Sequence, residues 1–109
     1  MPGYFVDKAQ CTRKTIFPGV EILTTAGQQM MLGLCQFQPG AVVEAHSHPH
    51  EQVGIVIEGS ARFIVGGEER ILGPGDMYAI PGGVTHRVVA LEDGLKALDV
   101  FHPIREDYL

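Results

Sequence analysis

Short apolar runs rich in valine, isoleucine and phenylalanine recur along the chain, separated by glycine and proline. No stretch of helical length carries apolar residues at the three- and four-residue spacing of an amphipathic helix. The pattern therefore predicts an all-β protein. The predicted strands are residues 20–24, 30–37, 41–46, 52–58, 61–65, 70–72, 77–80, 86–90 and 96–101.

Turns are predicted where glycine permits a positive φ and proline interrupts a strand. They fall at residues 58–60, 66–67, 73–75, 81–83 and 92–94. Many short, evenly spaced strands indicate a sandwich, a jelly roll or a barrel, and periodicity alone does not choose among them. The two ends, residues 1–10 and 103–109, are the candidates for arms.

The run at residues 53–57 is apolar on both strand faces. A strand of this kind is normally covered on both sides. A second copy of the chain would supply the outer cover, so the sequence predicts a homodimer.

Length and composition indicate one globular domain, residues 1–109, with 45% apolar and 19% charged residues. No apolar run approaches the roughly 20 residues of a membrane span. The first ten residues lack the basic and apolar parts of a signal peptide. We therefore predict a cytoplasmic protein without a membrane partner.

The formal charge of -5 and the scattered positions of the eight basic residues weigh against nucleic acid as a partner. The two cysteines, Cys11 and Cys35, lack the CxxC spacing of a redox or metal motif. Both are interpreted as structural thiols.

Histidine is sparse, with five residues, yet three of them lie in the segment HSHPH at His46, His48 and His50. Alternate residues of a strand share a face, so His46 and His48 can present two imidazoles to one ion, and Gln52 continues the same parity. A closed barrel can bring His86 across its interior to join them. The alternative is an exposed polar loop with His86 as an isolated histidine.

Two segments resemble the cupin motifs. The first has Gly40, His46, His48, Gln52 in the usual glutamate position, and Gly59; the second has Gly75, Pro81, Gly83, His86, and Ala90 in the usual asparagine position. The resemblance implies a cupin double-stranded β-helix, a jelly-roll barrel with its metal-binding core at about residues 40–90. It also implies one divalent ion bound by His46, His48, Gln52 and His86.

Glutamine in the glutamate position makes the implied ligand set neutral. The ion then keeps its full double charge and is a stronger Lewis acid, but it matches an iron oxygenase site less well. Glu51 has the parity of the opposite strand face. Nickel, zinc, manganese and iron remain open as the metal.

Within the cupins, HSHPHEQVGIVIEG and the tail DVFHPIREDYL resemble the small pectin-degradation cupins of the KdgF type. Members of that family open the ring of 4,5-unsaturated monouronates released by pectate and alginate lyases. The resemblance implies a small uronate as substrate and a ring opening without oxidation.

The C-terminal part of the chain adds three candidate functional residues. Asp99 interrupts the apolar run at residues 97–101, and a buried carboxylate normally has a partner or a function. Phe101 shares its parity, and Arg105 can fold back over the cavity mouth, where its guanidinium suits a carboxylate. The alternative is a structural Asp99–Arg105 pair.

The resemblance implies that Asp99 and Arg105 take part in turnover and that Phe101 and Arg105 bind substrate. His50 is predicted beside the ligands, orienting a ligand or the substrate. Two rival functions remain at this stage. One is another cupin chemistry, such as a dioxygenase, revealed by oxygen consumption, or a sugar isomerase. The other is a non-catalytic carbohydrate-binding or sensing module, revealed by tight binding without turnover.

Overall fold

The computed structural model describes residues 3–109. The strands in this range are β1 (Thr12–Phe17), β2 (Val20–Ala26), β3 (Met31–Phe37), β4 (Val42–His46), β5 (Glu51–Val65), β6 (Glu68–Leu72), β7 (Met77–Ile80) and β8 (His86–His102). Short 3₁₀ helices occupy Lys8–Gln10 and Glu106–Tyr108. No helix in the described part of the chain has the length and apolarity to cross a membrane.

All strand pairs are antiparallel, and the sheet runs in the order β1-β2-β3-β8-β5-β6. In addition, β4 pairs with β8 and β7 pairs with β5. Each of the two long strands, β5 and β8, therefore pairs with three other strands. The prediction of an all-β jelly-roll barrel is confirmed.

The turns predicted at residues 58–60 and 92–94 are wrong, because both segments lie within long strands. Strands β5 and β8 bend together at this point, and their register shifts between Val56 and Glu58 and again between Gly59 and Ala61. A Cβ atom at Gly59 would overlap the carbonyl of Gly94. The glycines therefore permit a close crossing of two bent strands rather than a reversal of the chain.

Strand β1 was not predicted from the sequence. Within residues 3–109 it pairs only with β2, at the edge of the sheet, and Arg13 points to solvent, where it forms an ion pair with Glu21. An exposed edge strand needs little apolar alternation, so its sequence carries a weak strand signal.

The C-terminal tail is not an arm. Arg105 and Tyr108 are 8% exposed, and the tail packs back over the barrel. Thr24 Oγ1 donates a hydrogen bond to the Tyr108 carbonyl at 2.7 Å, and Lys14 Nζ donates to that of Asp107 at 2.7 Å. At the other end of the chain, Tyr4 and Phe5 are almost fully exposed; residues 1 and 2 of the predicted N-terminal arm lie outside the described range.

Candidate metal centre and reaction cavity

His46 and His86 face each other across neighbouring strands. His46 is the last residue of β4, His86 is the first of β8, and the two are register partners with ring centroids 4.4 Å apart. His48 lies beyond the end of β4, and Gln52 lies on the next strand, β5. The predicted single strand face shared by His46, His48 and Gln52 is therefore wrong: a bend at residues 49–50 brings them together.

Three imidazoles converge at this point. One ring nitrogen each of His46, His48 and His86 lies within 4.8 Å of the other two. In each ring, Nδ1 contacts a backbone carbonyl: those of Glu44 at 2.8 Å, His50 at 3.1 Å and Val84 at 3.0 Å, respectively. Nδ1 therefore carries the proton and donates, which leaves the Nε2 lone pair free for a cation.

The Gln52 side chain supplies a fourth polar atom, and the residue is 9% exposed. Its Oε1 lies 3.1 Å from Nε2 of His48. Because Nδ1 of His48 donates elsewhere, this contact brings two lone-pair atoms together, as expected of two ligands of one cation. The donor set therefore fits a divalent ion, whereas the exposed Glu51 faces solvent.

Burial keeps two of the imidazoles neutral. It lowers the pKa of His48 to about 4, with the charge of Arg105 and the other two imidazoles adding to the effect. Burial also lowers the pKa of His86. Neutral imidazole is the form that binds metal.

Asp99 is 5% exposed and is paired with residues other than Arg105. Tyr78 Oη donates to its Oδ1 at 2.5 Å, and Cys35 Sγ donates to its Oδ2 at 3.4 Å. Burial raises the pKa of Asp99, while the hydrogen bonds from Tyr78, Gln52 and Cys35 oppose that rise. The structural Asp99–Arg105 pair considered from the sequence is absent among these hydrogen bonds.

Arg105 closes one side of the cavity. Its Cζ lies 3.9 Å from the ring centroid of Tyr108 and 5.3 Å from that of Phe101, so the guanidinium stacks on aromatic rings. Nε and Nη2 donate to the Asp107 carboxylate at 3.3 and 2.8 Å. The guanidinium has five N–H donors, and these two bonds leave three for another acceptor.

One cavity of about 40 Å³ joins most of the predicted residues. Its lining includes His46, Gln52, His86, Asp99, Phe101 and Arg105. His48 and His50 lie outside this lining, with their ring centroids 5.4 Å apart. The buried Nδ1 of His50 has no hydrogen-bond partner in the described structure. His50 thus reaches the centre through its carbonyl, which orients His48.

Tyr78 and Cys35 were not predicted from the sequence as neighbours of Asp99. One sequence signal was present: Gly54 interrupts an apolar strand. An isolated glycine inside a strand often marks a place where another group approaches the backbone closely. Here the approaching groups are the Asp99 carboxylate and the Tyr78 side chain.

Taken together, a jelly-roll barrel with three histidines converging beside its cavity defines a cupin with a candidate metal site. Residues 33–101 match the cupin domain family. The chain is 36% identical to the pectin degradation protein KdgF of Dickeya dadantii over the full length of both proteins. It therefore belongs to the cupin family and, within it, to the KdgF-type pectin-degradation cupins.

Solved structures agree with this assignment. KdgF from Halomonas sp. superposes with a TM-score of 0.87 at 33% identity, covering 99% of this chain and 100% of that one. An RmlC-like cupin from Shewanella frigidimarina gives a TM-score of 0.88 at 29% identity, with 99% and 97% covered. By sequence, the chain also resembles a cupin outside the KdgF type: oxalate decarboxylase OxdC of Bacillus subtilis is 35% identical over 71 residues, which are 61% of this chain and 18% of that protein.

Proposed function

We propose that this protein is a metal-dependent enzyme that converts 4,5-unsaturated monouronates to their linear keto form. The observation that carries the proposal is the placement of a buried carboxylate, Asp99, in the same cavity as His46, His86 and Arg105. Membership of the KdgF-type cupins supports a sugar acid from pectin as the substrate class.

In this proposal, His46, His48, Gln52 and His86 hold one divalent ion. When bound, the ion supplies Lewis-acid polarisation of a substrate or water oxygen. Nickel, zinc, manganese and iron all suit this role because the reaction involves no change of oxidation state at the metal.

The side chains around the centre bind and orient the substrate. Arg105 has free N–H donors for the uronate carboxylate, and Phe101 offers an apolar surface to the sugar ring. The aromatic rings stacked on Arg105 and the ion pair with Asp107 hold its guanidinium in place before substrate arrives. Because the cavity is smaller than a monosaccharide, we expect the tail that carries Arg105 to shift when substrate enters.

Asp99 transfers the proton in the first step of the reaction. In this step water adds across the C4=C5 enol ether, with a proton delivered to C4 and hydroxyl bound to C5, which gives a hemiketal. The bond between C5 and the ring oxygen then breaks, which leaves a ketone at C5 and a hydrated aldehyde at C1. The net change is the addition of one water molecule, and no electron acceptor is required.

The test is turnover of unsaturated monouronate from lyase-digested pectin or alginate, followed as loss of enol-ether absorbance and corrected for the spontaneous rate. We expect acceleration that a chelator abolishes and added metal restores. Absence of acceleration with every such substrate would contradict the proposal, and oxygen uptake by the iron-loaded protein would favour an oxygenase instead.

We also propose that the protein is a homodimer. Val53, Ile57 and Met77 are 41, 40 and 74% exposed on the outer face of the barrel, and neighbouring apolar residues of β5, β7 and β8 line a groove there. A contiguous group of exposed apolar side chains commonly marks an interface. Because the same face recurs on every copy, a second copy can cover it symmetrically.

Light scattering coupled to size exclusion tests the association state. We expect a dimer for the wild-type chain and a monomer for Val53→Glu. Glu58→Gln, an exposed change on the same strand, is the control and should stay dimeric. A monomeric wild-type protein would contradict the proposal.

A further inference from the structure

Asp99 sits in a row of residues that crosses four strands. On one side its register partner is Gly33 of β3, and on the other side it is Gly54 of β5. Gly54 in turn pairs with Tyr78 of β7. The carboxylate is thus flanked by two residues without side chains, and the next side chain along the row beyond Gly54 is that of Tyr78.

The space above Gly54 is filled by two other side chains. A Cβ atom at this position would overlap Oδ1 of Asp99 and the phenol end of Tyr78. The φ of Gly54 is not positive, so backbone conformation does not call for glycine here. The lack of space for a side chain is the reason for glycine here, because the Tyr78 hydroxyl reaches Asp99 by passing over the Gly54 backbone.

Tyr78 is itself held in place. Its ring packs on Phe63 with centroids 4.7 Å apart, and its hydroxyl donates to Oδ1 of Asp99 at 2.5 Å. Burial and the nearby Asp99 raise the pKa of Tyr78, so the phenol keeps the proton that it donates. Cys35 donates to the other carboxylate oxygen at 3.4 Å, which is a weaker contact.

We propose that Tyr78 and Gly54 are positioning residues for Asp99: Tyr78 orients the carboxylate through its hydroxyl, and Gly54 keeps clear the path of that hydroxyl. This inference rests on the proposed function, in which Asp99 moves the proton. Asp99 also accepts a weak hydrogen bond from Cys35, but the bond from Tyr78, at 2.5 Å, is much the shorter of the two, and a carboxylate held by it presents its remaining lone pairs in a defined direction. Without the Tyr78 bond, only the weaker contacts remain, and the carboxylate can rotate away from the reacting carbon.

The kinetic test uses Tyr78→Phe, which keeps the ring on Phe63, and Gly54→Ala, which blocks the approach. We expect kcat to fall by about 10- to 100-fold in each, since misplacement of a catalytic group by about 1 Å costs up to that much. KM should change less than about twofold, because neither residue is assigned to the uronate carboxylate or ring. Tyr4→Phe removes the same hydroxyl from a 97% exposed residue and should match the wild type.

A second comparison separates positioning from general damage. In the Asp99→Asn background, Tyr78→Phe should cause no further loss of kcat, because its effect passes through the carboxylate. Independent, multiplicative losses would overturn the inference. Metal content by elemental analysis should be equal in all variants that fold; if Gly54→Ala does not fold, Tyr78→Phe still decides the outcome.

A structural readout decides the inference if the wild-type protein turns over no unsaturated uronate. In that case the proposed function fails, while crystal structures of Tyr78→Phe and the wild-type protein still report the Asp99 orientation. A rotated or disordered carboxylate in the variant supports positioning. A carboxylate unmoved in the variant overturns it.

Discussion

Two regions of the barrel share the long strand β8 but differ in the side chains that they bury, which are polar around the histidines and apolar near the bend of the strand. Beside the histidine cluster, β8 contributes His86 and Asp99 to the cavity, whereas nearer its bend it contributes Leu95 and Ala97 to the apolar part of the lining and Ala90 to the core outside it. We call the second region the closed end. The long strand bends at its middle, so residues near its two ends return to one cavity.

The two regions are stabilised in different ways. Buried polar groups are costly unless they are paired, and near the cavity Asp99 and the imidazoles of His46, His48 and His86 have identified partners. The closed end buries apolar side chains such as Val20 and Ala61, both at 0% exposure, and gains its stability from their removal from water. We therefore expect changes beside the histidine cluster to affect chemistry and changes at the closed end to affect stability.

The largest expected effect is at Asp99. Removing the charge with Asp99→Asn should lower kcat by about 10²- to 10⁴-fold, the usual contribution of a general acid or base. Turnover assays on metal-loaded protein give the measurement. Asp93→Asn, an exposed carboxylate on the same strand, should retain full activity. Equal activity of the two variants would remove Asp99 from the mechanism and with it the functional contrast between the two regions.

The closed end should respond in the opposite way. Leu72 is 7% exposed in the core, and Leu72→Ala should lower the free energy of unfolding by about 2–5 kcal/mol through lost burial and an unfilled cavity. Urea titration measures this loss. Activity per folded molecule should stay near that of the wild type. A loss of kcat without a loss of stability would show that the two regions are coupled.

Acid should lower the free energy of unfolding of the metal-free protein through His48. The pKa of His48 is about 4 in the folded protein and about 6.5 in the unfolded chain, so the unfolded chain binds more protons between these values. The free energy of unfolding should therefore fall as pH drops from about 6.5 toward about 4. The raised pKa of Asp99 acts in the opposite direction, so the comparison must isolate the histidine.

His48→Gln provides that comparison. Its stability, measured by urea unfolding after chelator treatment, should depend less on pH across this window than that of the wild type. The same slope in both proteins would mean that His48 is not the titrating group.

The smallest effect is expected at the surface edge of the sheet. The Arg13–Glu21 pair has a distance of 3.1 Å, but both side chains are about half exposed, at 58 and 46%. Exposed pairs contribute about 0–1 kcal/mol, so Arg13→Ala should change stability by less than about 1 kcal/mol. Thermal unfolding at low and high salt checks this; a loss comparable to that of Leu72→Ala would show that β1 is more than an edge strand.

The sequence predicted much of the fold because the relevant signals are local. Alternation marks a strand with one buried face, and glycine and proline mark turns, so most strands of the barrel were recovered. Strand β1 was missed because both its faces are only partly covered. The bends at Gly59 and Gly94 were misread as turns, since glycine with positive φ serves both and local sequence does not distinguish them.

For the candidate site, the sequence by itself determined which residue types were available: four histidines and a glutamine near two cupin-like motifs, and an aspartate inside an apolar strand. Only the tertiary structure decided their partners. His48 and Gln52 meet across a bend rather than along one strand, and Asp99 bonds to Tyr78 rather than Arg105. The physical reason is that contacts between distant strands depend on register and bending, which the linear spacing of residues does not record.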